Sequence, residues 1–312
     1  MNRRIIKIAT RGSKLAIIQA KKVKEELERI YPEFQVVLMV IHTRGDKVLD
    51  VALSKIGDKG LFTQELEHAL YSGKADIAVH SLKDLPTEIA PELTIGGVLM
   101  RGEVRDALIS GLDLSLKDIS PDVKIATSSL RRSSQLKQYV KGIKVIDIRG
   151  NVETRIRKME EGVCDAIIMA AVGLQRLGLE AYIREIIDPQ VLIPAVGQGA
   201  IAMQIRKDDQ EIEEIISRVN HEPTFIATQA ERIFLNRLQG GCQIPIGCYS
   251  VIHGDMITFS GYVGNLDGTQ TIKLKKSGQI NVAARVANDL ADEFVKNGAD
   301  EIIENIRNLN QE

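Results

Sequence analysis

The chain has 312 residues, enough for two or three domains of roughly 100–150 residues each, and its formal net charge is −1. This balance excludes a general attraction to nucleic acid or to an anionic membrane, so any basic site must come from local clustering. Three cysteines without disulfide-framework spacing favour a reducing cytoplasm, and no apolar run approaches the roughly 20 residues that span a bilayer.

The N-terminal stretch predicts an α/β unit. Residues 5–9 are typical of a buried strand, residues 14–30 carry apolar side chains at helical spacing, and residues 34–41 form a second strand. Arg11 and Ser13 lie on the turn before the helix, where Ser13 is a candidate N-cap. Strand, turn, helix and strand in this order predict part of a parallel sheet.

Residues 43–60 have a different composition. They contain Gly45, Gly57 and Gly60 together with several lysines, including Lys55 and Lys59, and show no sustained periodicity. A loop of this length inside a compact domain is typical of a functional lid, and a disordered connection is the open alternative.

A predicted third strand, residues 75–79, leads into His80-Ser81-Leu82-Lys83-Asp84-Leu85-Pro86. This motif places an acid and a base at the carboxyl end of a strand, where open α/β sheets bind their ligands. Pro86 keeps the preceding residues out of a helix, so Lys83 and Asp84 are predicted on a constrained turn. For Asp84 a turn-capping carboxylate is the alternative to a functional one. For His80 a packing role is favoured.

A second α/β unit repeats the pattern with strands at residues 123–126, 145–148 and 166–169. The hydroxyl-rich turn 127–129 precedes a helix, whose first N–H groups and positive dipole end favour anions. Arginines follow each of these strands, namely Arg131, Arg132, Arg149, Arg155 and Arg176. A solvated basic face is the structural alternative. As a binding site, the arrangement predicts a cleft for a ligand with several anionic groups, and this ligand is either a polycarboxylate or a polyphosphate.

Two crossing segments, around residues 101–103 and 193–200, suggest that the chain returns to complete its first lobe. The predicted fold class is α/β, with two lobes like those of periplasmic binding proteins, a hinge and a cleft. A small C-terminal α+β domain completes it. The predicted domains are 1–99 with 196–219, then 100–195, then 220–312.

The C-terminal domain contains the segment Gly240-Gly241-Cys242-Gln243-Ile244-Pro245-Ile246-Gly247. Glycines and a proline place Cys242 on a tight loop. Such a thiol is either a modifiable group or a small buried apolar residue.

The motifs together resemble the porphobilinogen deaminase family over the whole chain. The segment from Glu231-Arg232 to Gly247 is similar to that family's cofactor-cysteine signature. The other matches are Ile8 to Ala16, His80 to Pro86, Thr127 to Arg132, Ile148 to Asn151 and Pro194 to Gly199. One departure is Ala126, where the family commonly has glycine before Thr-Ser-Ser.

The resemblance implies a transferase of tetrapyrrole (haem) biosynthesis that joins four porphobilinogen units head to tail, releases ammonia and yields linear hydroxymethylbilane. It implies a dipyrromethane cofactor held by a thioether to Cys242. Each pyrrole carries an acetate and a propionate, which favours the polycarboxylate interpretation of the arginines. A monomeric cytoplasmic enzyme without nucleic-acid or membrane partners and without a metal is expected.

The resemblance also implies residue roles. The expected catalytic residue is Asp84. The expected cofactor-binding residues are Cys242, Lys83, Ser81, Thr127, Ser129, Arg131, Arg132 and Asp84. The expected substrate-binding residues are Arg11, Ser13, Gln19, Arg149, Arg155, Arg176 and Gln198. Lys55 and Lys59 are expected on a mobile loop.

Two other interpretations stay open on sequence grounds. A non-catalytic two-lobed binding protein would also hold anions at strand ends, although the C-terminal cysteine loop argues against it. A metal site built from Cys164, Cys242, Cys248 and a histidine is disfavoured because the spacing Cys-x₅-Cys is not a standard zinc pattern.

Overall fold

The computed structural model describes residues 4–43, 63–241 and 243–309. Three residues with predicted roles, Lys55, Lys59 and Cys242, lie outside the described residues. Within the described ranges, no helix is long and apolar enough to cross a membrane.

The strands and helices are numbered in chain order. The strands are β1 Ile5–Arg11, β2 Gln35–Ile41, β3 Ile77–Ser81, β4 Leu93–Val98, β5 Asp106–Ser110, β6 Lys124–Ala126, β7 Lys144–Ile146, β8 Ala166–Ala170, β9 Ile183–Ile186, β10 Ile201–Arg206, β11 Ile246–His253, β12 Met256–Gly264 and β13 Thr271–Gln279. The helices are α1 Lys14–Ile30, α2 Gln64–Tyr71, α3 Leu130–Tyr139, α4 Val152–Glu160, α5 Ala171–Leu177, α6 Gln210–Ser217, α7 Glu222–Arg237, α8 Ala283–Lys296 and α9 Ala299–Leu309.

The first of two compact units contains the described residues up to 102 together with 199–225. Its five-stranded sheet has the order β2-β1-β3-β10-β4. Helix α1 begins at its predicted cap, where the Ser13 hydroxyl accepts a hydrogen bond from the Ala16 backbone N–H at 3.3 Å. The buried stripe of α1, which includes Val23 and Leu27, packs against the sheet.

The second unit contains residues 103–198 and the described residues from 226 onward. Its larger sheet has the order β7-β6-β8-β5-β9, the same pattern as in the first unit. In both sheets four strands run in the same direction, and three of them are hydrogen-bonded to one another in parallel, β2, β1 and β3 in the first sheet and β7, β6 and β8 in the second, as the sequence predicts. One strand in each runs against its neighbours, β10 in the first sheet and β5 in the second. Each of these is the first strand after the chain passes from one unit into the other.

The C-terminal region is an antiparallel sheet of β11, β12 and β13, packed with α7 to α9 around one core. Phe234 and Phe294 meet edge to face in that core, with ring centroids 5.2 Å apart. Two helices, α8 and α9, close the chain. Gly298, at φ +90°, separates two helices, a conformation that glycine adopts without steric cost.

The sequence-based domain boundaries, the hinge and the cleft stay predictions. In the structure the C-terminal sheet belongs to the same compact unit as the second lobe. Helix α3 joins the second lobe to the C-terminal sheet. Its Ser134 hydroxyl lies 2.6 Å from the Tyr262 hydroxyl on β12 and donates to the Asn265 carbonyl at 2.6 Å.

Candidate active site

The first unit brings its polar side chains together at one edge of its sheet. Strands β1 and β3 are parallel neighbours, so Arg11 at the end of β1 and Ser81 at the end of β3 reach the same edge. A small pocket of about 60 Å³ opens there. The predicted site residues that line it are Arg11, Ser13, Gln19, Ser81 and Asp84.

Gln19 and Ser81 hold one wall of this pocket. The Gln19 amide, which is buried on α1, donates to the Ser81 hydroxyl at 2.8 Å. This bond joins the helix to the end of β3, so the two residues are fixed relative to each other. The wall therefore presents ordered polar groups to whatever occupies the pocket.

Asp84 is the exposed member of the pocket lining. It closes the one-turn 3₁₀ helix Leu82–Asp84, which is anchored by the buried side chains of Leu82 and Leu85. The Leu85 backbone N–H donates to the Leu82 carbonyl at 3.2 Å. The turn thus holds the Asp84 carboxylate at the pocket while leaving it in contact with solvent. Lys83, beside it, is half-buried.

His80 also lines the pocket, but it is 95% enclosed, with an exposed fraction of 5%. Burial lowers the pKa of His80 to about 4, and the positive charge of Arg11 acts in the same direction. The imidazole is therefore neutral at neutral pH and adds no charge near Asp84. This agrees with the packing role favoured from the sequence.

The second unit carries an arginine cluster, defined here as Arg131, Arg132, Arg149 and Arg155. These residues follow the carboxyl ends of β6 and β7, which are parallel neighbours. Arg131 and Arg132 lie in the first turn of α3 and are almost completely buried. The predicted gathering of arginines at one sheet edge is thus present for these four.

Asp106 holds the two buried arginines. Its carboxylate accepts from Arg131 Nη2 at 2.9 Å and from Arg132 Nη2 at 2.8 Å. Burial raises the pKa of Asp106, but the charges of Arg131 and Arg132 outweigh it and hold the pKa well below its usual range. Sequence reasoning missed Asp106. The available signal was an acidic residue opening the apolar run Asp106-Ala107-Leu108-Ile109, since a buried carboxylate requires a cationic partner.

Gln198, predicted to bind substrate, is completely buried. Its amide nitrogen donates to the Val104 carbonyl at 2.7 Å and to the Asp106 carboxylate at 2.9 Å. The structure therefore places this residue behind the arginines.

Arg149 and Arg155 form the outer part of the cluster. Arg149 donates to Asp147 at 3.2 Å, and Arg155 Nε donates to the Gly150 carbonyl at 2.8 Å. Burial, together with the charges of Arg132 and Arg149, lowers the pKa of Arg155 to about 10. Like charges held this close favour the arrival of an anion.

Arg176 lies near the end of α5, where burial lowers its pKa to about 10. Its predicted binding role stays a prediction.

The hydroxyl-rich turn before α3 is shaped by its own hydrogen bonds. The Thr127 backbone N–H donates to the Ile146 carbonyl at 2.9 Å, and the Ser128 hydroxyl donates to the Ile148 carbonyl at 2.5 Å. Ser129 caps α3 by accepting from the Arg132 N–H at 3.5 Å. The turn is therefore rigidly placed at the positive end of the helix dipole.

Two cysteines are structural in the described chain. Cys248 is completely buried in the C-terminal core, and Cys164 is buried in the core of the second lobe. Burial raises the pKa of the Cys164 thiol to about 11, with Asp165 acting in the same direction. Among the described residues, no group of three or more histidines, cysteines and acidic residues is arranged to hold a metal ion.

Comparisons with known proteins cover almost the whole chain. Residues 6–214 match the family model described as "Porphobilinogen deaminase, dipyromethane cofactor binding domain", and residues 225–296 match "Porphobilinogen deaminase, C-terminal domain". The porphobilinogen deaminase of Syntrophomonas wolfei is 46% identical, over 94% of this chain and 94% of that protein. The porphobilinogen deaminase of Syntrophobacter fumaroxidans is 40% identical, over 98% and 99% respectively.

Among solved structures, the periplasmic aliphatic sulphonate binding protein SsuA from Escherichia coli is similar at a TM-score of 0.41. Identity is 17%, over 76% of this chain and 71% of that one. A likeness this loose carries no argument about fold or function.

The relatives match end to end, and the matched family domain is one that binds a dipyrromethane cofactor. The chain therefore belongs to the porphobilinogen deaminase family, transferases that polymerise porphobilinogen into the linear tetrapyrrole hydroxymethylbilane in tetrapyrrole biosynthesis.

Proposed function

We propose that this chain builds hydroxymethylbilane on a dipyrromethane cofactor attached by a thioether to Cys242, with Asp84 as the catalytic carboxylate. In this proposal the arginine cluster holds acetate and propionate groups. The observation that carries it is a difference in charge between two sets of side chains. In the first unit one carboxylate, that of Asp84, is exposed in a polar pocket. In the second unit Arg131 and Arg132 are almost completely buried, and their two positive charges are paired with the single negative charge of Asp106.

The residues of the arginine cluster fit a polycarboxylate cofactor. Among the described residues, its four positive charges are paired with two carboxylates, those of Asp106 and Asp147, so the cluster has a net charge of two positive units. The Nε atoms of Arg131 and Arg132 are buried without a hydrogen-bonding partner in the described part of the chain. Buried donors and uncompensated charge both favour carboxylates, which arginine binds in a bidentate manner. When bound, the cofactor supplies the pyrrole α-carbon from which the product grows.

Asp84 is proposed to act on the charge that develops during condensation. Porphobilinogen loses ammonia to leave an electron-deficient methylene pyrrole, and positive charge appears on pyrrole nitrogen as the new carbon–carbon bond forms. A carboxylate that accepts the pyrrole N–H groups stabilises this charge and takes up or returns a proton. The exposure of Asp84 on an anchored turn supports this role.

The remaining residues are assigned to positioning and binding. Arg11, Ser13 and Gln19, which line the same pocket as Asp84, bind substrate. Lys83, Ser81, Thr127 and Ser129 add hydrogen bonds to cofactor carboxylates, and Arg176 binds substrate. Gln198, predicted from the sequence to bind substrate, is not assigned that role, because it is completely buried and its amide donates to Asp106. Lys55 and Lys59 belong to the proposal on sequence grounds alone. A monomeric enzyme of the cytoplasm, with porphobilinogen as its partner and no nucleic acid, completes it.

The attachment of the cofactor is tested by intact mass spectrometry of protein expressed where porphobilinogen is available. Wild-type protein is expected to be heavier than its polypeptide by one dipyrromethane unit, and Cys242→Ser is expected to have the bare polypeptide mass. Cys248→Ala is the matched control, because that thiol is completely buried, and it should keep the added mass. An unmodified wild-type mass, or an adduct that persists in Cys242→Ser, contradicts the assignment.

A further inference from the structure

Asp106 is a buried carboxylate to which the proposed chemistry gives no role. It is the first residue of β5, is 0% exposed, and pairs with Ala170 of β8. One oxygen accepts from Arg131 Nη2 at 2.9 Å. The other accepts from Arg132 Nη2 at 2.8 Å and from Gln198 Nε2 at 2.9 Å. Every one of these donors is itself almost completely buried.

The two arginines require such a partner. They are adjacent in the sequence, so their charges repel each other, and they lie at the helix terminus whose dipole disfavours cations. Burial adds a desolvation penalty for each guanidinium. Without a buried carboxylate between them, long flexible arginine side chains would extend toward water. Asp106 therefore decides where both guanidinium groups lie.

One carboxylate does not neutralise two arginines. Arg131 Nη1 donates to the Ile193 carbonyl at 2.7 Å, and Arg132 Nη1 makes only a long contact of 3.4 Å to the Ile168 carbonyl. The group keeps one positive charge, and both Nε donors lack an acceptor among the described residues. Asp106 thus orients the arginines and still leaves them attractive to one further anion.

We infer that Asp106 is a positioning residue for the cofactor, which acts through Arg131 and Arg132 by fixing their orientation and reducing their joint charge to one. Gln198 supports it from behind by donating to the same carboxylate. The inference rests on the proposed function, because it assumes that these arginines receive a carboxylate of the dipyrromethane.

The test follows cofactor loading of apoprotein from cells that cannot make porphobilinogen. Apoprotein is mixed with increasing porphobilinogen, and the adduct is followed by intact mass. For Asp106→Asn the half-saturating concentration is expected to rise at least tenfold, with the limiting rate changed less than threefold. Misplaced arginines weaken carboxylate binding but leave the bond-forming step alone. A merely structural defect would lower the loadable fraction and leave the half-saturating concentration unchanged, which overturns the inference.

The matched control is Asp147→Asn, since Asp147 also pairs with an arginine of the cluster but its side chain is 52% exposed. Its half-saturating concentration is expected to stay within about twofold of wild type, because an exposed pair contributes little. An equal rise of the half-saturating concentration in both variants would show that removing any carboxylate near the arginines weakens loading. The positioning role of Asp106 would then be wrong.

A triple variant keeps the test informative if Asp106→Asn does not fold. Asp106→Asn combined with Arg131→Gln and Arg132→Gln is expected to load as the Arg131→Gln/Arg132→Gln variant does, because both arginines through which Asp106 acts are then absent. A further tenfold loss in the triple variant would show that Asp106 does not act through these arginines. Wild-type apoprotein that gains no adduct overturns the proposed function as well, whereas normal loading of Asp106→Asn overturns only this inference.

Discussion

The pocket of the first unit and the arginine cluster of the second unit differ in how far their charged side chains are exposed to solvent. In the pocket, Asp84 is exposed on a short turn, and its polar neighbours are ordered by contacts such as that between Gln19 and Ser81. In the cluster, Arg131 and Arg132 are buried and clamped by Asp106. In the proposed function Asp84 exchanges protons and needs access to solvent and substrate, whereas the arginines only bind and benefit from being held in place.

The free-energy cost of burying charged groups is therefore greater in the second unit than in the first. Burying guanidinium groups costs free energy that their ion pairs only partly return, so the second unit must be rigid to keep the geometry. Its rigidity comes from many tertiary hydrogen bonds to α3, including those of Ser134. The pocket needs less support, because its carboxylate, Asp84, is exposed and its buried histidine, His80, is neutral.

The largest expected effect is on the pocket side. Asp84→Asn should lower turnover by at least ~10²-fold, since a carboxylate that stabilises charge and transfers protons is replaced by a neutral amide. Folding should be unchanged, because Asp84 is exposed. The measurement is the rate of porphobilinogen consumption by protein of verified cofactor content. Asp208→Asn, another exposed carboxylate of the first unit, is the control and should keep the wild-type rate. Near-normal turnover in Asp84→Asn would remove it from the central role.

The next effect tests the rigidity of the second unit. A Cβ added at Gly247 would lie 2.8 Å from the Ile193 carbonyl oxygen and 2.9 Å from that of Pro194, so backbone must shift. Gly247→Ala should lower the free energy of unfolding by about 1–3 kcal/mol, as overpacking does. Gly241→Ala, where no atom of the described residues lies within 4 Å of the added Cβ, should change it by less than about 0.5 kcal/mol. Equal stability of both variants, measured by urea unfolding, would contradict a rigid second unit.

A smaller effect concerns protonation in the first unit. The pKa of His80 is about 4 in the folded protein and ordinarily near 6.5, so the unfolded chain binds more protons at intermediate pH. Stability should therefore fall as pH drops below 6.5, by about 2 kcal/mol between pH 7 and pH 5 from this group. His80→Gln lacks the titrating group and should show a correspondingly shallower loss. Parallel pH profiles for the two proteins would mean that His80 is not buried as described.

Much of this arrangement could be predicted from the sequence. The strand ends bearing Arg11 and Ser81 and the turn with Asp84 follow from apolar runs punctuated by turn residues. The arginines after β6 and β7 were predicted at one edge for the same reason. These features are local, and local patterns in the chain encode them.

What was missed depends on contacts between distant segments. Strand β5 was not predicted, because its five residues lie beyond a crossing and carry no helical or alternating pattern. Asp106 was missed with it, since its partners Arg131, Arg132 and Gln198 lie at least 25 residues away. The burial of Gln198 was equally invisible. A glutamine that binds substrate and one that supports a buried carboxylate have the same local sequence.

The central claim is that the chain grows its product covalently, one pyrrole at a time, on a cofactor that it carries itself. Intact mass spectrometry of wild-type protein before and after limiting porphobilinogen tests this most directly. We predict a starting mass that includes one dipyrromethane, followed by discrete species separated by single pyrrole units. A mass that never changes, or a starting mass equal to that of the bare polypeptide, would contradict the account.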